Sequence, residues 1–320
     1  MRGDDRDSGD NQAVSVDGNR PSVSVILPIY NGERYLQEAV DSVFAQTFCD
    51  YEVVCVDDGS IDRSLQALAQ YGSRLTVVRQ ANAGQSAARN QGVHASSGRY
   101  LAFLDQDDRW YPHKLSQQVD ELEACKDTVM VYCSSDRMNA DGGIIQVGAT
   151  KAEQPQAKES LLGRLIGEGL VLPSSMLVRR EVFERVGGFD SQLCGFEDFD
   201  LCARLTQQGR IVFLEESGLS YRVHESSFHR AGGRIIVRSR ERFLLRMREL
   251  YAGDSQRQAL INEMLAECYS DWGMDEVRAG DRSVGQQRLL RSLRHNPLKF
   301  RTYSRFLRSF FSQGPRRRSS

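Results

Sequence analysis

Residues 100–108 read YLAFLDQDD, an apolar strand that runs directly into three carboxylates. A strand from Tyr100 to Leu104 would be buried, and the negative charges at its end carry a high desolvation cost unless a positive group pairs with them. Two such charges about 4 Å apart repel by roughly 4 kcal/mol at an effective dielectric constant of about 20. All-oxygen ligands favour Mg²⁺ or Mn²⁺, so the stretch indicates a divalent metal site. A solvated Asp-rich turn that caps the next helix explains the same residues about equally well.

Apolar runs of strand length alternate with helical patterns on both sides of this stretch. The predicted strands are Val23–Leu27, Glu52–Val56, Leu75–Val78, Tyr100–Leu104 and Val129–Tyr132, and the predicted helices lie near Arg34–Gln46, Arg63–Tyr71, Ser86–Ala95 and His113–Cys125. This alternation predicts an α/β fold with a mostly parallel, Rossmann-like sheet that carries helices on both faces. Ligands of such sheets bind beyond the carboxyl ends of the strands.

The composition is that of an ordinary globular protein. The chain has 320 residues, of which 40% are hydrophobic, and this is enough for a substantial core. Its seven cysteines lack Cys-x-x-Cys spacing, so we interpret them as reduced residues. No window approaches the roughly 18 consecutive apolar residues that a membrane span needs, and the first twenty residues do not resemble a signal peptide. A cytoplasmic protein is therefore expected.

Three segments with different character follow one another along the chain. Residues 1–20 are polar and predict a disordered N-terminal tail. Residues 21–233 contain the α/β pattern, and residues 234–320 predict a helical C-terminal extension with a basic tail that includes Arg316, Arg317 and Arg318. The apolar residues of this tail recur at helical spacing beside arginines. That pattern is typical of a helix packed on the preceding domain, and equally of a helix in peripheral contact with the inner face of a membrane.

Polar residues follow the first two predicted strands. Pro28, Tyr30 and Asn31 come directly after the first, and the Tyr30 ring is suited either to stacking on a nucleobase or to packing in a strand-to-helix turn. Asp58 follows the second strand, where its carboxylate is able to accept hydrogen bonds from a base or a ribose. Both positions are where the parallel sheet predicts a ligand.

Two further segments carry charged residues of the same kind. Asn82, Gly84 and Arg89 lie around the start of a predicted helix, whose N-terminal amides favour anions; Arg89 would neutralise a phosphate, brace the Asp cluster or be a surface residue. Glu197 and Asp198 lie in the first turn of another predicted helix, where a carboxylate stays ionised and ready to accept a proton. His224 follows an extended segment. It is either a ligand of a metal or phosphate or, as is more common for a lone histidine, a structural residue.

Taken together, these segments resemble glycosyltransferase family 2. The resemblance rests on PxYNG at 28–32, DDGSxD at 57–62, NxGxSxARNxG at 82–92, DxDD at 105–108 and GFD to ED at 188–198, in this order. It covers about Val23 to Ser227. It implies a nucleotide-binding fold of the GT-A type, inverting chemistry, and a divalent metal (Mn²⁺ or Mg²⁺) bound with a nucleotide-sugar donor.

The resemblance also implies a role for each matching residue. Tyr30 would stack on the donor base and Asp58 would accept from its ring N–H, with Pro28, Asn31, Asn82, Gly84, Arg89, Asp105 and Gln106 as further donor-binding positions. Asp105 and Asp107 resemble the family's metal-binding carboxylates, with His224 as an additional ligand. Asp198 resembles the general base and Glu197 its neighbour that orients the acceptor. Trp110 would offer a face to the sugar or pack in the core.

The chain lacks the Gln-x-x-Arg-Trp signature of processive polysaccharide synthases, which favours addition of a single sugar. The expected reaction transfers it from a nucleotide-diphosphate sugar, with UDP as the nucleotide, to a hydroxyl of a glycan or lipid-linked acceptor during polysaccharide biosynthesis for the cell envelope. No nucleic-acid partner is expected. A nucleotidyltransferase, or a non-catalytic module that binds a nucleotide or glycan, is the alternative.

Overall fold

The computed structural model describes residues 20–149, 171–224 and 234–310. The predicted N-terminal tail before Arg20 and the three arginines at 316–318 lie outside these ranges. Nine strands form one sheet: β1 Val23–Ile29, β2 Tyr51–Asp57, β3 Thr76–Arg79, β4 Tyr100–Phe103, β5 Arg109–Trp110, β6 Thr128–Met138, β7 Ile144–Gln146, β8 Met176–Arg179 and β9 Arg210–Arg222.

The sheet has the order β3-β2-β1-β4-β8-β6-β9-β5, and β7 pairs with β6. The strands β3, β2, β1 and β4 are parallel, as the alternating pattern predicts, and β6 is parallel to β9. The strand β8 is antiparallel to both β4 and β6, and β5 is antiparallel to β9. Because β1, β2 and β4 are parallel, their carboxyl ends meet at one edge of the sheet.

Helices cover both faces of this sheet. They are α1 Leu36–Phe44, α2 Ser64–Ala69, α3 Gln85–His94, α4 Lys114–Ala124, α5 Arg180–Arg185 and α6 Glu197–Leu205. One hydrophobic core lies under α1 and α4, and a second lies under α3, α5 and α6. All seven residues of β1 are buried, which explains its continuous apolar sequence. At Gly92, a methyl group would collide with Ile26, so α3 lies unusually close to β1.

Four more helices follow: α7 Arg234–Leu250, α8 Ser255–Arg278, α9 Arg282–His295 and α10 Phe300–Ser309. A third core, which includes Phe243, Ile261 and Trp272, joins α7 and α8 to Ala203 of α6. The helical extension therefore packs directly on the α/β unit, although the boundary at residue 233 stays a prediction. None of the helices in the described ranges is long and apolar enough to cross a membrane.

Candidate active site

An open cleft of about 660 Å³ lies at the carboxyl ends of β1, β2 and β4. The predicted donor-binding, metal-binding and catalytic residues all contribute to its lining: Pro28, Tyr30, Asn31, Asp58, Asn82, Gly84, Arg89, Asp105, Gln106, Asp107, Glu197, Asp198 and His224. The fold thus brings together segments that are distant in the chain. The individual chemical roles of these residues stay predictions.

The turn after β1 is held by the side chain of Gln106. The Tyr30 backbone N–H donates to Gln106 Oε1 at 2.9 Å, and Gln106 Nε2 donates to the Tyr30 carbonyl at 3.0 Å. A side chain at Gly32 would collide with the Gln106 amide and would displace it from the Tyr30 backbone. Asn31 has a φ of 51°, and its side chain accepts from the Ile61 N–H at 2.9 Å. The Tyr30 side chain remains 48% exposed and available to a ligand.

Asp58 organises the opposite side of the cleft. Its Oδ1 accepts from Gln80 Nε2 at 2.7 Å and from the Ala83 N–H at 2.8 Å, and its Oδ2 accepts from the Gly84 N–H at 2.9 Å. The buried carboxylate therefore fixes the turn that leads into α3. A carboxylate has about four acceptor positions, so Oδ2 keeps a lone pair for a ligand.

Arg89 lies at the centre of the site and is almost fully buried. Its Nη2 donates to Asp105 Oδ1 at 2.5 Å, and its Nη1 lies 3.6 Å from Glu197 Oε1. Burial alone would lower the pKa of Arg89, but Asp105 and Glu197 raise it above its usual value. The guanidinium therefore stays charged and braces two carboxylates. Its Nε has no hydrogen-bond partner among the described residues.

Asp107 and Asp108 have different surroundings although they are neighbours. Asp107 faces the cleft, where its Oδ2 lies 2.8 Å from His224 Nε2. Burial and the nearby charge of Asp105 raise the pKa of Asp107. Asp108 is buried beneath, and its Oδ1 accepts from the Arg222 N–H at 3.0 Å. Burial and repulsion from Asp107 raise its pKa well above the usual value.

Asp107 and His224 are the side chains whose chemistry best fits a divalent cation. Their ligating atoms are adjacent, and burial together with the charge of Asp105 raises the pKa of Asp107, so a nearby cation would stabilise its ionised form. Asp105, also predicted as a ligand, is paired with Arg89. No group of three or more His, Cys, Asp or Glu in the described residues is arranged around one point. The pair therefore fits a cation that takes its other ligands from phosphate oxygens, as Mg²⁺ commonly does.

Glu197 and Asp198 begin α6 at the other wall of the cleft. Glu197 is buried, and its Oε1 accepts from Gln85 Nε2 at 2.8 Å. Asp198 accepts from the Phe199 N–H at 2.8 Å. Burial and the neighbouring Glu197 raise the pKa of Asp198 to about 7. A carboxyl group with this pKa is suited to accepting a proton near neutral pH.

Several cleft residues were not predicted from the sequence. Tyr35 packs against the His224 ring with centroids 5.2 Å apart, and Gln85 and Tyr221 line the cleft. Their signal was weak, because a single aromatic or amide residue in a strand or at a helix start carries no spacing pattern of its own. Trp110 is buried instead of facing the cleft, and its Nε1 donates to the Ser174 carbonyl at 2.7 Å. Of its two predicted roles, the structure supports packing.

The chain is similar to several known proteins. Residues 24–187, just over half of the chain, match the family described as Glycosyl transferase family 2. An uncharacterized glycosyltransferase of Rickettsia typhi is 31% identical over 209 residues, which are 64% of this chain and 65% of that protein. One from a Nostoc species is 35% identical over 216 residues, 65% of this chain and 66% of that protein. The match thus spans just under two thirds of these relatives.

A solved structure shares the fold over a longer range. The crystal structure of Staphylococcus aureus TarS 1–349 in complex with UDP-GlcNAc superposes with a TM-score of 0.70 at 18% identity. The superposition covers 90% of this chain and 89% of that one. It includes the helices after residue 233 as well as the sheet, because the α/β unit alone is shorter than this range. The predicted GT-A type α/β fold with a C-terminal helical extension is therefore confirmed.

Proposed function

Because the chain belongs to glycosyl transferase family 2, we propose that it transfers a single sugar from a nucleotide-diphosphate sugar to a hydroxyl of a glycan or lipid-linked acceptor. The observation that carries this proposal is the convergence of Tyr30, Asp107 and Asp198 on one cleft. The family favours this reaction over nucleotidyl transfer and over a non-catalytic binding module. UDP is the expected nucleotide, since TarS shares the fold and was crystallised with UDP-GlcNAc.

The donor would lie along the carboxyl edge of the sheet. The exposed ring of Tyr30 is available to stack on the base, and Asp58 retains an acceptor for a ring N–H. The diphosphate would then lie between the start of α3 and Asp107, where the helix dipole favours an anion. The Asp58 carboxylate and the Arg89 guanidinium are each fixed by hydrogen bonds within the cleft, so little rearrangement of these two groups is needed on binding.

The transfer is a direct displacement at the anomeric carbon. The Asp198 carboxylate takes the proton of the acceptor hydroxyl while that oxygen forms a bond to the anomeric carbon. The bond between this carbon and the diphosphate oxygen breaks, and the electron pair leaves with the nucleoside diphosphate. Attack opposite the leaving group inverts the anomeric configuration. Glu197, fixed by Gln85 and Arg89, orients the acceptor next to the base.

A divalent cation, Mn²⁺ or Mg²⁺, would be held by Asp107 and His224. When bound, it neutralises charge on the leaving diphosphate. The predicted contribution of Asp105 would be indirect while its carboxylate is paired with Arg89.

The test incubates the full chain with a panel of UDP-, GDP- and dTDP-sugars and Mn²⁺, and measures release of the nucleoside diphosphate. We expect hydrolysis of one donor, accelerated by the correct acceptor. Asp198→Asn should lower turnover by about 10²- to 10⁴-fold while nucleotide binding survives. Asp107→Ala should weaken Mn²⁺-dependent UDP binding measured by calorimetry. Asp120→Asn, a change at an exposed aspartate of α4, is the matched control.

Three outcomes separate the alternatives. Nucleotide binding without turnover of any donor would favour the non-catalytic module. Release of pyrophosphate from a nucleoside triphosphate would favour a nucleotidyltransferase. Full activity in both the Asp107→Ala and Asp198→Asn variants would refute the assigned roles.

A further inference from the structure

The last described helix, α10, packs on its neighbours through small hydroxyl residues instead of apolar ones. Thr302 and Ser309 are fully buried. Thr302 Oγ1 lies 3.2 Å from the hydroxyls of both Ser270 on α8 and Ser292 on α9, and Gln286 Nε2 donates to Ser309 Oγ at 3.2 Å. The inward face of α10 is thus satisfied by hydrogen bonds.

Five large apolar side chains in and near α10 are exposed, whereas Phe306 is half-buried and contacts the Phe310 ring edge to face. The exposed fractions are 78% for Leu298, 80% for Phe300, 44% for Tyr303, 62% for Leu307 and 53% for Phe310. At about 100° per residue, the last four lie within an arc of about 80° on one side of the helix. We call Leu298, Phe300, Tyr303, Leu307 and Phe310 the apolar strip. A contiguous exposed strip of this kind marks a surface that contacts another body.

Basic residues border the apolar strip. Arg301 and Arg308 are exposed on one flank of α10, about 80° to 100° around the helix from Phe300, and Arg305 is bonded to Asp271. The sequence from Arg282 to its last residue contains no Asp or Glu, whereas Arg and Lys recur throughout. The surface around the strip therefore favours a partner that is both apolar and anionic.

We propose that α10 lies in the plane of an anionic lipid bilayer, with the apolar strip at the boundary between headgroups and acyl chains and with Arg301 and Arg308 on lipid phosphates. An apolar face flanked by arginines is the pattern of an interfacial helix. A second copy of this chain is a poorer occupant, because a symmetric contact through this face would bring two basic borders together. The inference goes beyond sugar transfer and stands whether or not the cleft is catalytic.

The test is sedimentation of the full chain with vesicles of phosphatidylglycerol and phosphatidylcholine, compared with phosphatidylcholine alone. We expect binding to the anionic vesicles that weakens with added salt. The double variant Phe300→Ser/Leu307→Ser should lose at least tenfold in vesicle affinity. Arg301→Gln/Arg308→Gln should lose about fivefold for each arginine, only on anionic vesicles. Val77→Ser, at an exposed apolar residue of β3, is the matched control and should bind as the unchanged chain does.

Thermal unfolding of each variant shows whether it is folded, and all the altered side chains are exposed, so no loss of structure is expected. Failure of the full chain to sediment with anionic vesicles would overturn the proposal. The proposal would also be overturned if Val77→Ser lost as much vesicle affinity as Phe300→Ser/Leu307→Ser, or if Phe300→Ser/Leu307→Ser lost none. A dimer in solution that Phe300→Ser/Leu307→Ser converts to monomer, without vesicle binding by the unchanged chain, would assign the apolar strip to self-association.

Discussion

The pKa of Asp198 gives a quantitative prediction for the base. Burial and the charge of Glu197 raise it to about 7, so the proposed general base is ionised in only about half of the molecules at pH 7. Because the base acts as a carboxylate, kcat/KM should rise with pH through this value. Below the midpoint the rate should fall about tenfold for each pH unit.

Replacement of Glu197 by Gln should move this midpoint to lower pH. The substitution removes the neighbouring negative charge and leaves the burial of Asp198 in place. It also frees Arg89, whose Nη1 lies 3.6 Å from Glu197 and whose charge favours the ionised form of Asp198. We expect the midpoint to fall by about one pH unit, equivalent to about 1.4 kcal/mol.

The assay follows nucleoside diphosphate release at substrate concentrations below KM from pH 5 to about 9, since kcat/KM reports the free enzyme. Glu263→Gln, at an exposed residue of α8, is the control and should leave the midpoint unchanged. The maximum kcat/KM of Glu197→Gln is expected to fall because Gln85 and Arg89 lose a partner. The pH of the midpoint, and not the height of the curve, is therefore the quantity to compare. If kcat/KM rises with pH through the same midpoint in both variants and in the unchanged chain, the assignment of Asp198 as the base is refuted.

Two further predictions concern the scaffold around the cleft. Gly32→Ala should displace the Gln106 amide from the Tyr30 backbone. Loss of these two hydrogen bonds should lower the free energy of unfolding by about 2 kcal/mol and weaken UDP binding in calorimetry. The control Gly253→Ala, with open space around it, should do neither. Burial lowers the pKa of Lys114 to about 8, so between pH 8 and its unfolded value near 10.5 the unfolded chain binds more protons and stability rises with pH. Denaturant unfolding should show that Lys114→Met removes this rise of about 3 kcal/mol, and an identical pH dependence in both proteins would contradict it.

The sequence predicts the parallel half of the sheet because each strand there is a continuous apolar run followed by a helix. The second half is less predictable. Val129–Tyr132 was expected as a short strand, but β6 continues to Met138. Ser134, Ser135 and Asp136 in its later part are polar and buried, and Asp136 accepts hydrogen bonds from Tyr111 and Ser217. A strand stabilised by such distant partners gives no apolar pattern.

The candidate site shows the same limit. Its residues follow strand ends and helix starts, so the sequence predicts the residues that line the cleft. The sequence does not show that Gln106 binds the Tyr30 backbone, because that contact depends on how two turns approach each other. Likewise, the helical spacing of Phe300, Tyr303 and Leu307 predicts one apolar face of α10 but not its direction. That direction is decided by hydroxyl groups on α8 and α9.

The position of the base depends on both halves of the molecule. At its start, α6 is held in the cleft by the contact between Glu197 and Arg89. One turn further along, Asp200 is fully buried and accepts from Arg204 of α6 at 2.9 Å and from Arg246 of α7 at 2.8 Å. The Arg246 guanidinium also donates to Asp190 at 2.7 Å, so it ties α7 to two carboxylates beside the base. The helical extension therefore positions Asp198 from outside the cleft, just as Arg89 positions it from within.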